Sequence, residues 1–282
     1  MARIVPEHVT VRHVAMATEF SITIAHGDTR YARQAAAEAW GELGRIESSL
    51  SRYVSYSDVA RIGRTPAGGS VSLAADTYDC LQTALQVEAS THGAFNVAYQ
   101  HQPPRLAAAL LSLTDQPPTV RVADDHVMLD LGGIGKGFAL DRMATLLADW
   151  DLPCFLLRAS ASTVLAGLPP PGSCGWRVQF GPGSARQQLY LQKAAISGSG
   201  LAVKGEHILD PRTGRPATHF EMAWSGAPSA AQADAISTAL MVMQEEAIQE
   251  FCQRRPDCLA YVLRPDHRQV VALHAKSPEV YR

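Results

Sequence analysis

A chain of 282 residues, 46% hydrophobic and 18% charged, is long enough to bury a substantial core, and its composition excludes wholesale disorder. The 25 basic and 27 acidic residues give a formal net charge of −2, so no excess of cations is present to neutralise a nucleic-acid backbone. No stretch approaches the ~18 apolar residues of a membrane span.

The opening MARIVPEHVTVRHVAMATEF carries His8, Arg12, His13 and Glu19. It lacks an apolar run of about 7–15 residues, so no secretory leader is expected. The five cysteines (Cys80, Cys154, Cys174, Cys252 and Cys258) form no CxxC pair. Reduced thiols in a cytoplasmic protein are the expectation. The length predicts one domain, or two intimate subdomains.

In chain order, Val9–Ile24 is rich in Val, Ile and Thr and predicts one or two strands. Tyr31–Leu50 spaces Ala35, Ala39, Leu43 and Ile46 as a helix face. Gly63–Gly69 predicts a loop, and Ala74–Ala89 a second helix. A linking region lies between Gln102–Pro104 and Gln116–Pro118. Val127–Leu131 predicts a strand, Phe138–Trp150 a helix and Pro153–Leu157 a buried strand. Leu168–Gly175 is a turn, and Trp176–Phe180 pairs with Gln188–Leu191. Ala231–Gln249 predicts one long helix, and Cys258–Leu263 with Gln269–Leu273 a closing hairpin. Strands run in succession with helices between and after them, which predicts an α+β fold.

Three segments could carry chemistry. In Met128–Asp141, MLDLGGIGKGFALD, a predicted strand leads through glycines and Lys136 into a helix. Glycines allow close backbone approach, and a helix N-terminus with a lysine suits a pyrophosphate. A strand–turn–helix corner with a solvated Lys136 is the other reading, and the spacing fits neither a Walker A loop nor GxGxxG. In Ala195–Pro216, Ser197 to Gly200 read as a flexible hydroxyl-bearing loop. There His207 and Asp210 are either an acid–base group or parts of a self-stabilising turn at Pro211–Gly214. In Ala231–Met243, Asp234 and Thr238 fall one helical turn apart on one face. Two oxygen donors so placed suit Mg²⁺, or they form the polar flank of a packed helix. Met16, at the junction of the first strands, suits packing on a flat ring or in the core.

The ordered series Met16-Ala17-Thr18, Gly93-Ala94-Phe95-Asn96, Asp130 to Gly137, Ser197-Gly198, His207 to Gly214 and Ala233 to Leu240 resembles the ApbE family of FAD:protein FMN transferases. The resemblance spans about residues 11–245. It implies an α+β, T-fold-like architecture of antiparallel sheets with packed helices. It implies Mg²⁺ held by Asp234, Thr238 and the backbone carbonyl of Gly135. It implies FAD contacts at Met16, Thr18, Phe95, Asp130, Gly132, Gly133, Lys136, Ser197, Asp210 and Arg212. His207 would help deprotonate the acceptor, a Thr or Ser hydroxyl of a flavoprotein, with Asp234 at the reacting centre and AMP leaving. Two alternatives are an FAD pyrophosphatase that uses water, and a flavin-binding protein without catalysis. The sequence departs from the family pattern at Ala17 (usually Gly), Gly63 (often Asn), Asn96 (usually Asp), Ala98 (usually Thr) and Gly135 (usually Ala). Ser160-Ala161-Ser162 stands where a Gly-Gly pair is common.

Overall fold

The computed structural model describes residues 8–200, 208–265 and 269–274. Among them an eight-stranded sheet forms the centre. Its strands are β1 (His8–Ala15), β2 (Thr18–Ala25), β6 (Phe155–Ala159), β7 (Thr163–Ala166), β10 (Ala194–Gly200), β11 (Met222–Ala227), β12 (Leu259–Leu263) and β13 (Val271–Ala272), in that spatial order. Every neighbouring pair is antiparallel.

One face of the sheet carries α1 (Thr29–Leu50), α5 (Gly135–Asp149) and α6 (Ala230–Leu240). Asp28 caps α1 by accepting from the Arg30 and Tyr31 amides. Its buried stripe Ala32, Ala35, Ala39, Leu43 and Ile46 is the helical period read from the sequence. The other face is covered by a hairpin of β8 (Trp176–Phe180) and β9 (Gln187–Leu191). Central strands are therefore apolar on both sides. On β6, Leu157 joins the helix-side core and Leu156 the hairpin-side core.

Away from the sheet, α2 (Asp58–Arg64), α3 (Ala75–Ser90), α4 (Ala107–Leu110) and a small sheet of β3 (Ser70–Ser72), β5 (Thr119–Val122) and β4 (Leu111–Thr114) pack together. No helix among the described residues is long and apolar enough to cross a membrane. The α+β class, with antiparallel sheets and packed helices, is as expected.

Several local expectations are corrected. Residues 127–131 form no strand, although Asp130 N–H bonds to the Val97 carbonyl at 2.8 Å. The long helix expected from Ala231 to Gln249 is two, α6 and α7 (Glu245–Arg254). Amides of Met241, Val242 and Met243 bond three residues back, which tightens and ends α6, and Gln244 is extended. Ser197 to Gly200 are strand rather than flexible loop.

The β1–β2 turn is Met16-Ala17, both left-handed at φ 48° and 55°. A two-residue hairpin turn demands this backbone to match strand twist, and it favours Gly or Asn. Met16 N–H donates to Glu47 Oε1 at 2.8 Å, tying the turn to α1. Ala17 is thus strained. Ala17→Gly is expected to raise unfolding stability by about 1 kcal/mol in denaturant titration. An unchanged or lower midpoint would refute the strain.

Candidate active site

Two helix N-termini meet under the sheet. Gly137, in the first turn of α5, lies so close to α6 that an added Cβ would sit 2.1 Å from the Ala230 carbonyl oxygen. Four residues on, on the same face of α5, Asp141 accepts from the Ala230 and Ala231 amides at 2.7 and 2.8 Å. Asp141 is thereby an N-cap supplied from another helix. This docking brings Asp234, one turn into α6, against the start of α5.

Asp234 is buried, and both its oxygens are engaged. Oδ2 accepts from the Gly137 amide at 3.1 Å and lies 3.5 Å from Lys136 Nζ. Oδ1 accepts from Thr163 Oγ1 at 3.3 Å and Ser197 Oγ at 3.1 Å, hydroxyls that lie 2.9 Å apart. Thr163 on β7 and Ser197 on β10 are paired in register, so two neighbouring strands aim both at one carboxylate. Thr238 Oγ1 donates to the Asp234 carbonyl at 3.3 Å and lies 3.3 Å from Ser199 Oγ, which bonds Ser237 Oγ at 2.9 Å. Lys136 also donates to the Gly132 carbonyl at 3.1 Å.

The other predicted residues divide. Gly132, Gly133 and Phe95 join this cluster. A Cβ on Gly133 would meet Phe95 Cε2 at 3.2 Å and Thr238 Oγ1 at 3.4 Å. Asp130 accepts from the Gly132 amide at 2.9 Å and from the Tyr99 hydroxyl at 3.3 Å, and pairs with Arg52 at 3.1 Å. Ser197, expected on a flexible loop, lies on β10 with a fully buried hydroxyl that anchors Asp234. Met16 and Thr18 lie at the same end of the sheet as Thr163, since Phe20 faces Ala159 in register and Ser160 N–H bonds to Glu19 O at 2.7 Å.

Asp210 and Arg212 form the self-contained turn that was one of the two readings. The Arg212 amide and Nε both donate to Asp210 Oδ1, at 2.9 and 2.8 Å. Nη2 reaches Asp210 Oδ2 at 2.9 Å and the Val242 carbonyl at 2.8 Å. The guanidinium thus takes up a carbonyl freed where α6 ends, and the pairing holds the Asp210 carboxyl below its ordinary range against the opposing effect of burial. His207 lies outside the described residues.

Thr163, Asp141, Tyr99 and Arg52 were not found from sequence. Only Asp141 left a signal there, four residues beyond Gly137.

The described residues contain no cluster of three His, Cys, Asp or Glu that could hold a metal. The donors available beside α5 are one carboxylate, a hydroxyl and backbone carbonyls. These are hard oxygen ligands and few, which fits Mg²⁺, a cation that keeps waters and takes substrate phosphate oxygens.

Burial raises the Asp141 carboxyl to about 6, while the Ala231 and Ala230 amides pull it the other way. The folded chain therefore holds this proton more tightly than the unfolded chain, whose carboxyl stays near 3.8. The contribution to stability is full below about pH 4 and is lost as pH rises through about 6. Stability relative to Asp141→Asn should fall by on the order of 2–3 kcal/mol between those limits. Parallel stability curves for the two proteins would overturn the assignment.

The sequence profile of the ApbE family matches residues 16–263. The FAD:protein FMN transferase of Klebsiella pneumoniae (strain 342) is 23% identical over 275 residues, covering 83% of this chain and 78% of that protein. The FAD:protein FMN transferase of Rhodobacter capsulatus is 32% identical over 162 residues, covering 50% of this chain and 29% of that protein. The apo crystal structure of Pseudomonas stutzeri flavinyl transferase ApbE superposes with a TM-score of 0.82 at 22% identity, over 98% of this chain and all of that one. The Thermotoga maritima ApbE protein does so at 0.79 and 23% identity, over 94% of this chain and 97% of that one. With the family profile spanning most of its length, this chain belongs to the ApbE family.

Proposed function

We propose that this protein transfers FMN from FAD to a Thr or Ser hydroxyl of an acceptor protein, with Mg²⁺ bound and AMP leaving. The observation that carries the reading is the buried Asp234, held by Thr163, Ser197 and the Gly137 amide beside Lys136 and Thr238. Family relatives are named for this activity. Five free cysteines, three of them buried, fit a reducing compartment and a cytoplasmic acceptor.

Asp234, Thr238 and the Gly135 carbonyl would hold Mg²⁺. Bound there, the cation would neutralise charge developing on the pyrophosphate and orient it. The chain supplies the rest. Thr163 and Ser197 fix the carboxylate in one orientation, so little reorganisation is required when charge develops. Lys136 places an ammonium at the mouth of the helix junction, where a phosphate oxygen can compete with Asp234 for it. Phe95 and Gly133 form a close-packed wall beside Thr238. His207 takes the proton from the acceptor hydroxyl.

The test is incubation with FAD and Mg²⁺, with and without a candidate acceptor, followed by mass analysis of nucleotides and protein. AMP together with an FMN-sized gain on an acceptor Thr or Ser is the expected result. AMP with free FMN would mean that water is the acceptor. Intact FAD in the presence of acceptor and metal would refute catalysis.

A further inference from the structure

The reverse side of the sheet carries a broad, open cavity. Along β10 and β11, Ser197 and Ser225 face α6, while Gly198 and Trp224 face the β8–β9 hairpin. The Trp224 ring stands so close to Gly198 that a Cβ there would come within 2.5 Å of it. Between this ring and the hairpin opens a space of about 730 Å³, walled by Arg158, Arg177, Arg186, Phe180, Met222 and Trp224.

No carboxylate among the described residues lines this space. Arg158 rises from β6 half-buried, with no hydrogen-bond or ion-pair partner among the described residues, and burial lowers its guanidinium from the ordinary value. Arg177 gives one bond, from Nε to Gln188 Oε1 at 2.7 Å, and forms no ion pair among the described residues. Arg186 is exposed on the loop after β8 and likewise has no acidic partner there. Three guanidinium groups around one cavity, with no counter-ion among the described residues, repel one another, and one of them is partly stripped of water. Guanidinium forks match the oxygens of phosphate in paired hydrogen bonds.

The remaining walls fit something flatter than an ion. Phe180 and Trp224 lie with ring centroids 5.4 Å apart, and Met222 adds a soft apolar surface. The space is open to solvent on one side, and its volume far exceeds that of a bare phosphate. We propose that this cavity is a second ligand site, for a phosphorylated planar ring compound of nucleotide size, on the sheet face opposite Asp234.

The site is tested by titration calorimetry on the full chain without FAD, Mg²⁺ or acceptor, with AMP as the probe and inorganic phosphate as the comparison. AMP is expected to bind, and phosphate to bind at least about tenfold more weakly for want of the ring contacts. Arg158→Gln and the exposed Arg186→Gln should each weaken AMP by about tenfold, one charge-assisted bond's worth. Asp234→Asn, which keeps the buried hydrogen bonds of that carboxylate, should leave AMP affinity unchanged. AMP affinity that survives both arginine changes but is lost in a folded Asp234→Asn protein would place the nucleotide at the Asp234 site and overturn the proposal. Absence of AMP binding, or phosphate binding as tightly as AMP, would also overturn it. AMP is also the leaving product of the proposed reaction, and the Asp234→Asn arm separates binding there from binding in this cavity.

Discussion

Gly137→Ala is expected to destabilise the protein severely, by on the order of 3 kcal/mol or more, and to lower the soluble yield. The added methyl would stand 2.1 Å from the Ala230 oxygen, 2.4 Å from its carbon and 2.8 Å from the Ala231 nitrogen. All three are backbone atoms at the start of α6, and α6 is fixed in turn by β10 and β11. Moving α6 away would lengthen both Asp141 caps and the Gly137–Asp234 bond together. Gly135→Ala is the control, since a Cβ there meets nothing within 4 Å. It should be neutral or stabilising by up to about 1 kcal/mol through helix propensity. Denaturant unfolding of the two variants checks both, and equal stabilities would mean that the helix junction is not the constraint.

That contrast shows what the sequence could tell and what it could not. The glycine-rich run was legible as a place of close approach, and its ligand was read as a phosphate. At Gly137 the closest approach is to another helix, and its amide is taken by Asp234. Asp234 and Thr238 were placed on one helix face by their spacing, because a helix sets that relation locally. Thr163 was not, because its tie to Asp234 spans 71 residues and depends on the register of β7 against β10. The same non-local cause hid β7 and β11, short strands buried on both faces with no alternation to read. Ser197 to Gly200 resembled a loop by composition, yet Gly198 is there because the Trp224 ring occupies the space of a side chain. The helix α2 was hidden behind its cap, Ser57, in only seven residues. The paired prolines near 103 and 117 concealed a small sheet whose strands are four residues or fewer.

Asp234→Asn is expected to abolish most Mg²⁺-dependent turnover while leaving the fold nearly intact. Asparagine has the shape of aspartate, and its carbonyl can still accept from the Gly137 amide. Its amide group then faces the Thr163 and Ser197 hydroxyls, which can rotate to accept instead of donate. The stability change should therefore stay near about 1 kcal/mol. Asp234→Ala differs, since it leaves the Gly137 amide and one of the two paired hydroxyl donors without an acceptor, at a cost of about 1–3 kcal/mol for each group left unpaired. What asparagine loses is charge. Without the carboxylate, Lys136 has no anion at 3.5 Å and the oxygen donors beside Thr238 no longer attract a divalent cation. The rate of AMP release from FAD should fall by on the order of a hundredfold or more, with the melting temperature nearly unchanged. Retained Mg²⁺-dependent release in a folded Asp234→Asn protein would remove Asp234 from the reacting centre.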